Sequence, residues 1–163
     1  MAAAALLLAA CAGTPRVSAP PAPAPGVQIN AAPGSAVPSA TEVRGVMIAN
    51  ALGMLGQPYR YGGAAPGGFD CSGLVFYAAA GAGVHLPRTA NEQRWLGSAV
   101  SRKNLRAGDL IFMHLARKEL HVGIALDGAR FIHAPSTGGR VRIDSIAAAP
   151  YAAGFIGARR VIE

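Results

Sequence analysis

The spacing of apolar positions along the chain changes three times. Met1 to Ala10, MAAAALLLAA, is one uninterrupted apolar run, too short to span a bilayer but suited to the apolar segment of an export signal. Residues 12 to 40, including SAPPAPAPG, are Pro, Ala, Gly and Ser with few large apolar side chains. Such a stretch cannot offset the entropy of ordering and reads as a tether, partly extended by its prolines. From Thr41 to Leu55 apolar residues recur at 43, 46, 47, 51, 54 and 55, a helical stripe with Thr41 as N-cap and Gly56 and Pro58 ending it.

Beyond that helix, residues 56 to 69 carry so many glycines and prolines that a loop is expected. Asp70 then caps a second helix that opens with Cys71, continues through the apolar run LVFYAAAG and ends at Gly81 or Gly83. Thr89 and Glu92 fit a capping box that starts a short helix toward Trp95. From Asp109 onward short apolar runs alternate with turns: DLIFM, HVGIALDG, ARFIHAP, VRI and GFIGARRVI. Helices followed by an antiparallel sheet make an α+β domain over residues 41–163.

Composition agrees with this division. Residues 41–163 hold every acidic side chain and all but one of the basic ones, as a globular domain would. The net charge of +7 is carried almost entirely by arginine and is scattered rather than gathered in one block, which argues against a nucleic-acid partner. No phosphate-cradling GxxxxGK loop, RNA-binding aromatic motif or internal repeat is present.

The chain has two cysteines, Cys11 and Cys71. Leu8, Ala9, Ala10 and Cys11 resemble the lipobox of bacterial lipoproteins, which implies cleavage before Cys11 and lipidation of its thiol. A membrane anchor at Cys11 would leave Cys71 without a disulfide partner. Zinc is not expected, because Cys71 has no CxxC companion and the histidines lack ligand spacing. A packed core cysteine and a nucleophile remain. The first position of a helix favours the second, since the helix start stabilises a thiolate and offers backbone N–H groups to an oxyanion.

A thiol nucleophile needs a base, and the base an orienting partner. His121 and His133 lie on two consecutive strands joined around Asp127 and Gly128. A two-residue Asp-Gly loop would put the two imidazoles on opposite sheet faces. A three-residue loop over Leu126 to Gly128, with Gly128 left-handed and Ala125 facing Ala129, would set His121 directly opposite His133. The three-residue turn is expected. His85 reads as a loop residue, and His114 as an exposed residue in a polar connection that borders the cleft.

Taken in order, GQPYRYGG, FDCSGLV, LPRTANEQ, LRAGDLIF, HVGIAL and FIHAP resemble the NlpC family of bacterial cell-wall cysteine peptidases across the whole domain. The resemblance implies a circularly rearranged papain-like fold with Cys71 as nucleophile, His121 as general base and His133 as the orienting member. It places Tyr59 in the lining of the active site near the oxyanion. It assigns Asp70 and Ser72 to substrate binding, with helix capping as their structural alternative; Arg88 in LPRT is a further candidate, suited to a substrate carboxylate or equally to a surface salt bridge. The implied activity is hydrolysis of a peptidoglycan stem peptide, at the γ-D-glutamyl to diamino acid bond or at the cross-link, by a monomer without metal or cofactor. An N-acetylmuramoyl-L-alanine amidase and a silent wall-binding lipoprotein are the rival readings. With Ala12 after Cys11, the anchor is expected in the outer membrane and the domain in the periplasm.

Overall fold

The computed structural model describes residues 37–115, 119–137 and 139–163. The apolar leader over 1–10, Cys11 and the tether up to residue 36 lie outside the described residues. Helix α1 spans Ala40–Leu52. Its N-cap is Ser39 rather than Thr41: the Ser39 side chain accepts from the Glu42 amide while the Glu42 carboxylate accepts from the Ser39 backbone, and Thr41 has no such reciprocal partner. The helix closes at Gly53, three residues before the glycine expected to end it.

The glycine-rich segment that follows is not wholly irregular. Strands β1 (Ala64–Ala65) and β2 (Gly68–Phe69) form a two-stranded antiparallel hairpin. Helix α2 spans Cys71–Ala80, with Asp70 as N-cap and Gly81 as C-cap. Helix α3, Ala90–Gln93, opens on the expected Thr89–Glu92 capping box.

The remaining strands make one six-stranded sheet. They are β3 (Ser98–Val100), β4 (Leu110–His114), β5 (Leu120–Ala125), β6 (Arg130–His133), β7 (Arg142–Ser145) and β8 (Phe155–Arg160), with the four-residue helix α4 (Tyr151–Gly154) before the last. Every pairing is antiparallel, in the order β3-β8-β4-β5-β6-β7, so the α+β expectation holds. Strand β3 was not expected from the pattern, because its three residues carry no buried position that would mark them. His114 ends β4 instead of lying in a connection.

Both sheet faces are covered, which explains why LIFM in β4 is continuously apolar. Leu110 and Phe112 join Val122, Ile124 and Ile132 on one face, against Met47, Ala51, Leu74, Val75 and Ala78 of α1 and α2. Ile111 and Met113 join Ala125, Phe131 and Ala158 on the other, with Ile146 and Tyr151 packed over them. Each fully buried Leu, Ile or Phe contributes about 1.5–3 kcal/mol, so α2 is held to the sheet by a row of such contacts.

The turn between β5 and β6 differs from expectation. Ala125 pairs with Phe131, not Ala129, and the Leu126 amide donates to the Arg130 carbonyl. The three loop residues are therefore Asp127 to Ala129, one position later than expected, and Gly128 is not left-handed. The Asp127 carboxylate closes this turn by accepting from the amides of Ala129 and Arg130, both at 2.8 Å, a role that needs no positive φ.

Candidate active site

Asp70 builds the start of α2. Its Oδ1 accepts from the Gly73 amide at 2.6 Å and its Oδ2 from the Gly62 amide at 3.0 Å, which ties the helix to the preceding loop. Arg88 donates to both oxygens, Nη1 to Oδ1 at 2.9 Å and Nη2 to Oδ2 at 2.6 Å, and also reaches the Gly63 carbonyl at 3.1 Å. The Ser72 hydroxyl donates to Asp70 Oδ1 at 3.2 Å and accepts from Arg88 Nη1 at 3.1 Å. Burial alone would raise the Asp70 carboxyl, but the bonds from Arg88, Gly73 and Ser72 hold it below its ordinary range. A Cβ on Gly73 would lie 1.9 Å from the Gly63 carbonyl oxygen, so only glycine lets the loop approach the helix here.

Cys71 is the first residue of α2, half-buried, and is the free cysteine of the described residues. Its sulfur is approached by the backbone amides of Val122, Ser72 and Cys71 itself. The Val122 contact places the thiol against the start of β5, one residue from His121. Burial nevertheless pushes the Cys71 thiol above its ordinary value, with the negative charge of Asp70 adding to the rise. The expectation of a thiolate stabilised by the helix start is corrected accordingly: desolvation outweighs the amides. Tyr59 stands nearby, its phenol raised by burial and then by the charges of Cys71 and Asp70.

The two imidazoles share one sheet face, as expected, but not as a directly opposed pair. Continuing the observed register sets His133 across from Gly123, with His121 on the diagonal. A Cβ at Gly123 would come within 2.6 Å of the Phe131 ring and 3.1 Å of His133 Cβ. The missing side chain leaves room for His133 to lean along the strand, and His121 Nε2 lies 2.7 Å from His133 Nδ1 with the rings nearly perpendicular. Burial, and then the neighbouring His133, push His121 down to about 3. Burial likewise lowers His133 to about 4, against an opposing bond from Asp144.

Asp144 is the residue that the sequence reading missed. Its Oδ2 lies 2.9 Å from His133 Nε2 and accepts from Arg142 Nε at 2.8 Å and from the Tyr151 hydroxyl at 2.6 Å. Burial would raise this carboxyl, but the bonds from Tyr151, Arg142 and His133 bring it to about 2. The sequence carries only the alternation that puts Arg142 and Asp144 on one face of β7; the observed register, Arg142 with His133 and Asp144 with Phe131, is what turns that face to the imidazole. Chemically, the arrangement offers a neutral thiol, a neutral base and a carboxylate-anchored second imidazole. Among the described residues no group of three or more His, Cys, Asp or Glu is placed to hold a metal ion.

With this geometry in view, a family model described as the NlpC/P60 family matches residues 56–160. "Probable endopeptidase YafL" of Escherichia coli K12 is 45% identical over 114 residues, which cover 66% of this chain and 46% of that relative. "Murein DD-endopeptidase MepH" of the same strain is 40% identical over 114 residues, covering 66% and 42%. The chain thus spans less than half the length of these two relatives. Among solved structures, an NlpC/P60 family protein from Bacillus cereus gives a TM-score of 0.69 at 30% identity, over 74% of this chain and 40% of that one. The peptidoglycan hydrolase RipB of Mycobacterium tuberculosis gives 0.67 at 31% identity, over 76% and 67%.

Proposed function

The chain belongs to the NlpC/P60 family, and from that premise and the site's geometry we propose that it is a cysteine peptidase that hydrolyses a peptide bond of the peptidoglycan stem. The observation that carries this reading is the placement of Cys71 at a helix start, its sulfur against the Val122 amide one residue from His121, whose Nε2 lies 2.7 Å from His133 Nδ1. His121 takes the thiol proton as the sulfur attacks the scissile carbonyl carbon. Asp70 already occupies the Gly73 amide, which leaves the amides of Cys71 and Ser72 beside the sulfur for the developing oxyanion, with the Tyr59 hydroxyl close by. The protonated His121 then gives its proton to the leaving amine. Water, activated by the same imidazole, cleaves the thioester and regenerates the thiol.

Relatives bearing the names DD-endopeptidase and DL-endopeptidase support a stem-peptide substrate and differ in the bond those names specify. The reading for this chain covers the γ-D-glutamyl to diamino acid bond and the stem cross-link. Asp70, Ser72 and Arg88 serve first to hold the helix start, and substrate contact falls to the third of the Arg88 side chain that remains exposed. Incubating purified sacculi with the protein and with Cys71→Ala, then identifying fragments by mass spectrometry, tests the proposal. Cut stem peptides released only by the parent protein support it. Free intact stems would identify an amidase, and wall binding without product a silent module.

The same proposal extends to location. Leu8 to Cys11 supports lipidation of Cys11, with the Pro- and Ala-rich residues from 12 up to the Ser39 cap as the tether and the catalytic domain beyond it, anchored in the outer membrane and facing the periplasm as a monomer. Metabolic labelling with a palmitate analogue, lost in Cys11→Ser, is the expected result. Unlabelled protein in the soluble periplasmic fraction would refute the anchor.

A further inference from the structure

The two imidazoles raise a question that their separation does not answer. A contact of 2.7 Å between His121 Nε2 and His133 Nδ1 can be made by a hydrogen on either nitrogen. If it belongs to His133, then neutral His121 carries its own hydrogen on Nδ1, the nitrogen not engaged by His133. The base would then have no lone pair to offer. If it belongs to His121 Nε2, Nδ1 is bare and the base is ready. The histidine pair alone satisfies its contact equally well in both states.

The structure assigns to Asp144 the task of breaking this degeneracy: it is a positioning residue that fixes the tautomer of His133 and, through it, the tautomer of His121. Asp144 Oδ2 receives three groups, and Arg142, always protonated, can only donate to it. The Tyr151 hydroxyl donates as well and in turn accepts from Arg142 Nη2 at 3.1 Å. An oxygen held by these donors is an ionised acceptor, so the hydrogen of His133 must sit on Nε2. His133 Nδ1 is then bare and must accept, which obliges His121 Nε2 to donate. The lone pair of His121 is left on Nδ1. Proton transfer from the thiol breaks the S–H bond, forms an N–H bond there and leaves a thiolate beside an imidazolium. The proton does not travel on to Asp144, whose fixed negative charge steadies the cation two rings away.

The surroundings hold His133 to this one orientation. Phe131 lies 4.5 Å from its ring centroid and Tyr151 5.3 Å away at 87°, and both of its ring nitrogens are engaged, Nδ1 by His121 at 2.7 Å and Nε2 by Asp144 at 2.9 Å. The titratable and charged groups against the pair are Asp144 and Arg142 of β7 and Tyr151 of α4, and Cys71 of α2 lies against the Val122 amide beside His121. Among the described residues, the acceptor placed at His133 Nε2 is Asp144 Oδ2, at 2.9 Å.

This inference rests on the proposed Cys-His-His chemistry, and its deciding measurement needs no substrate. Long-range proton–nitrogen NMR of the 15N-labelled protein at pH 7 reads each ring nitrogen as protonated or bare. The expected spectrum has both Nε2 atoms protonated and both Nδ1 atoms bare. A wild-type His133 carrying its hydrogen on Nδ1 would overturn the assignment, whether or not any variant folds. In Asp144→Ala a second tautomer should appear and kcat should fall about 100-fold, within the range that base catalysis supplies, with KM within about twofold. Tyr151→Phe, which keeps the ring and the carboxylate, should retain the wild-type tautomers. Unchanged tautomers and kcat in Asp144→Ala would equally sink the idea. If peptidoglycan proves not to be cleaved, the NMR result still decides the role of Asp144 independently.

Discussion

Arg88 grips both oxygens of the Asp70 carboxylate, and that same carboxylate caps the helix whose first residue is Cys71. The guanidinium fork therefore fixes the nucleophile at one remove. Arg88→Met should destabilise the fold by about 1–3 kcal/mol, the cost of taking the charged donor from a largely buried carboxylate that keeps only neutral ones, and should lower activity through movement of the helix start. Arg88→Lys should rescue little, since a single ammonium cannot serve both oxygens and the Gly63 carbonyl. Urea denaturation and peptidoglycan turnover measure the two effects. Wild-type stability in Arg88→Met would show that the pair contributes nothing.

Gly123 and Gly128 are close in sequence and should respond oppositely to alanine. A methyl at Gly123 meets Phe131, the Ile132 carbonyl and His133 within 3.1 Å, so Gly123→Ala should cost about 1–3 kcal/mol in overpacking and separate the imidazoles. A loss of activity greater than about tenfold is expected, because base catalysis depends on that contact. At exposed Gly128 the nearest atom to an added methyl is 4.0 Å away and φ is not positive, so Gly128→Ala should be neutral or stabilise by up to about 1 kcal/mol. A strongly destabilised Gly128→Ala would restore the left-handed turn that the sequence suggested.

Alkylation kinetics report the resting state of the thiol. Burial raises Cys71 and lowers His121, so at neutral pH both are uncharged instead of forming a thiolate–imidazolium pair. The rate with iodoacetamide should climb steadily through neutral pH and still be rising above the ordinary thiol value. A plateau already reached near pH 5 would reveal a preformed ion pair.

Acid stability follows from the same burial. His121 and His133 bind protons at an ordinary value of 6.5 when unfolded but only near 3 and 4 when folded. Between those limits the unfolded chain holds more protons, so stability should fall as pH drops below 6.5, and the imidazoles' share of that loss should level off below about 3. Asp144, ordinarily 3.8 and about 2 in the fold, adds a further loss as pH falls through that interval. Calorimetric Tm values from pH 7 to 4 should show the decline, and His133→Gln should flatten it. A Tm independent of pH across this range would mean that the imidazoles are not buried neutral.

Much of this architecture was legible because local chemistry and tertiary structure agree. Asp70 before an apolar run, and Thr89 three residues before Glu92, announce helix starts that the fold uses. The strands on either side of Asp127 were visible from their apolar runs, but their register was set by the Asp127 side chain instead of by glycine, which shifted the turn by one residue. Ser39 escaped notice because it sits inside a Pro- and Ala-rich stretch, where a cap resembles the tether around it. Asp144 escaped because its partner His133 is eleven residues away on another strand, and only the register brings them together. The raised thiol was the least accessible feature, since it depends on how much solvent the folded sheet excludes.

That raised value has a consequence outside catalysis. Peroxide and disulfides react with the thiolate far faster than with the protonated sulfur. By keeping Cys71 protonated until an imidazole removes its hydrogen, the burial that quiets the nucleophile also guards it against sulfenic acid and mixed disulfides. The sulfur is thus preserved chemically between turnovers without needing a second cysteine to protect it.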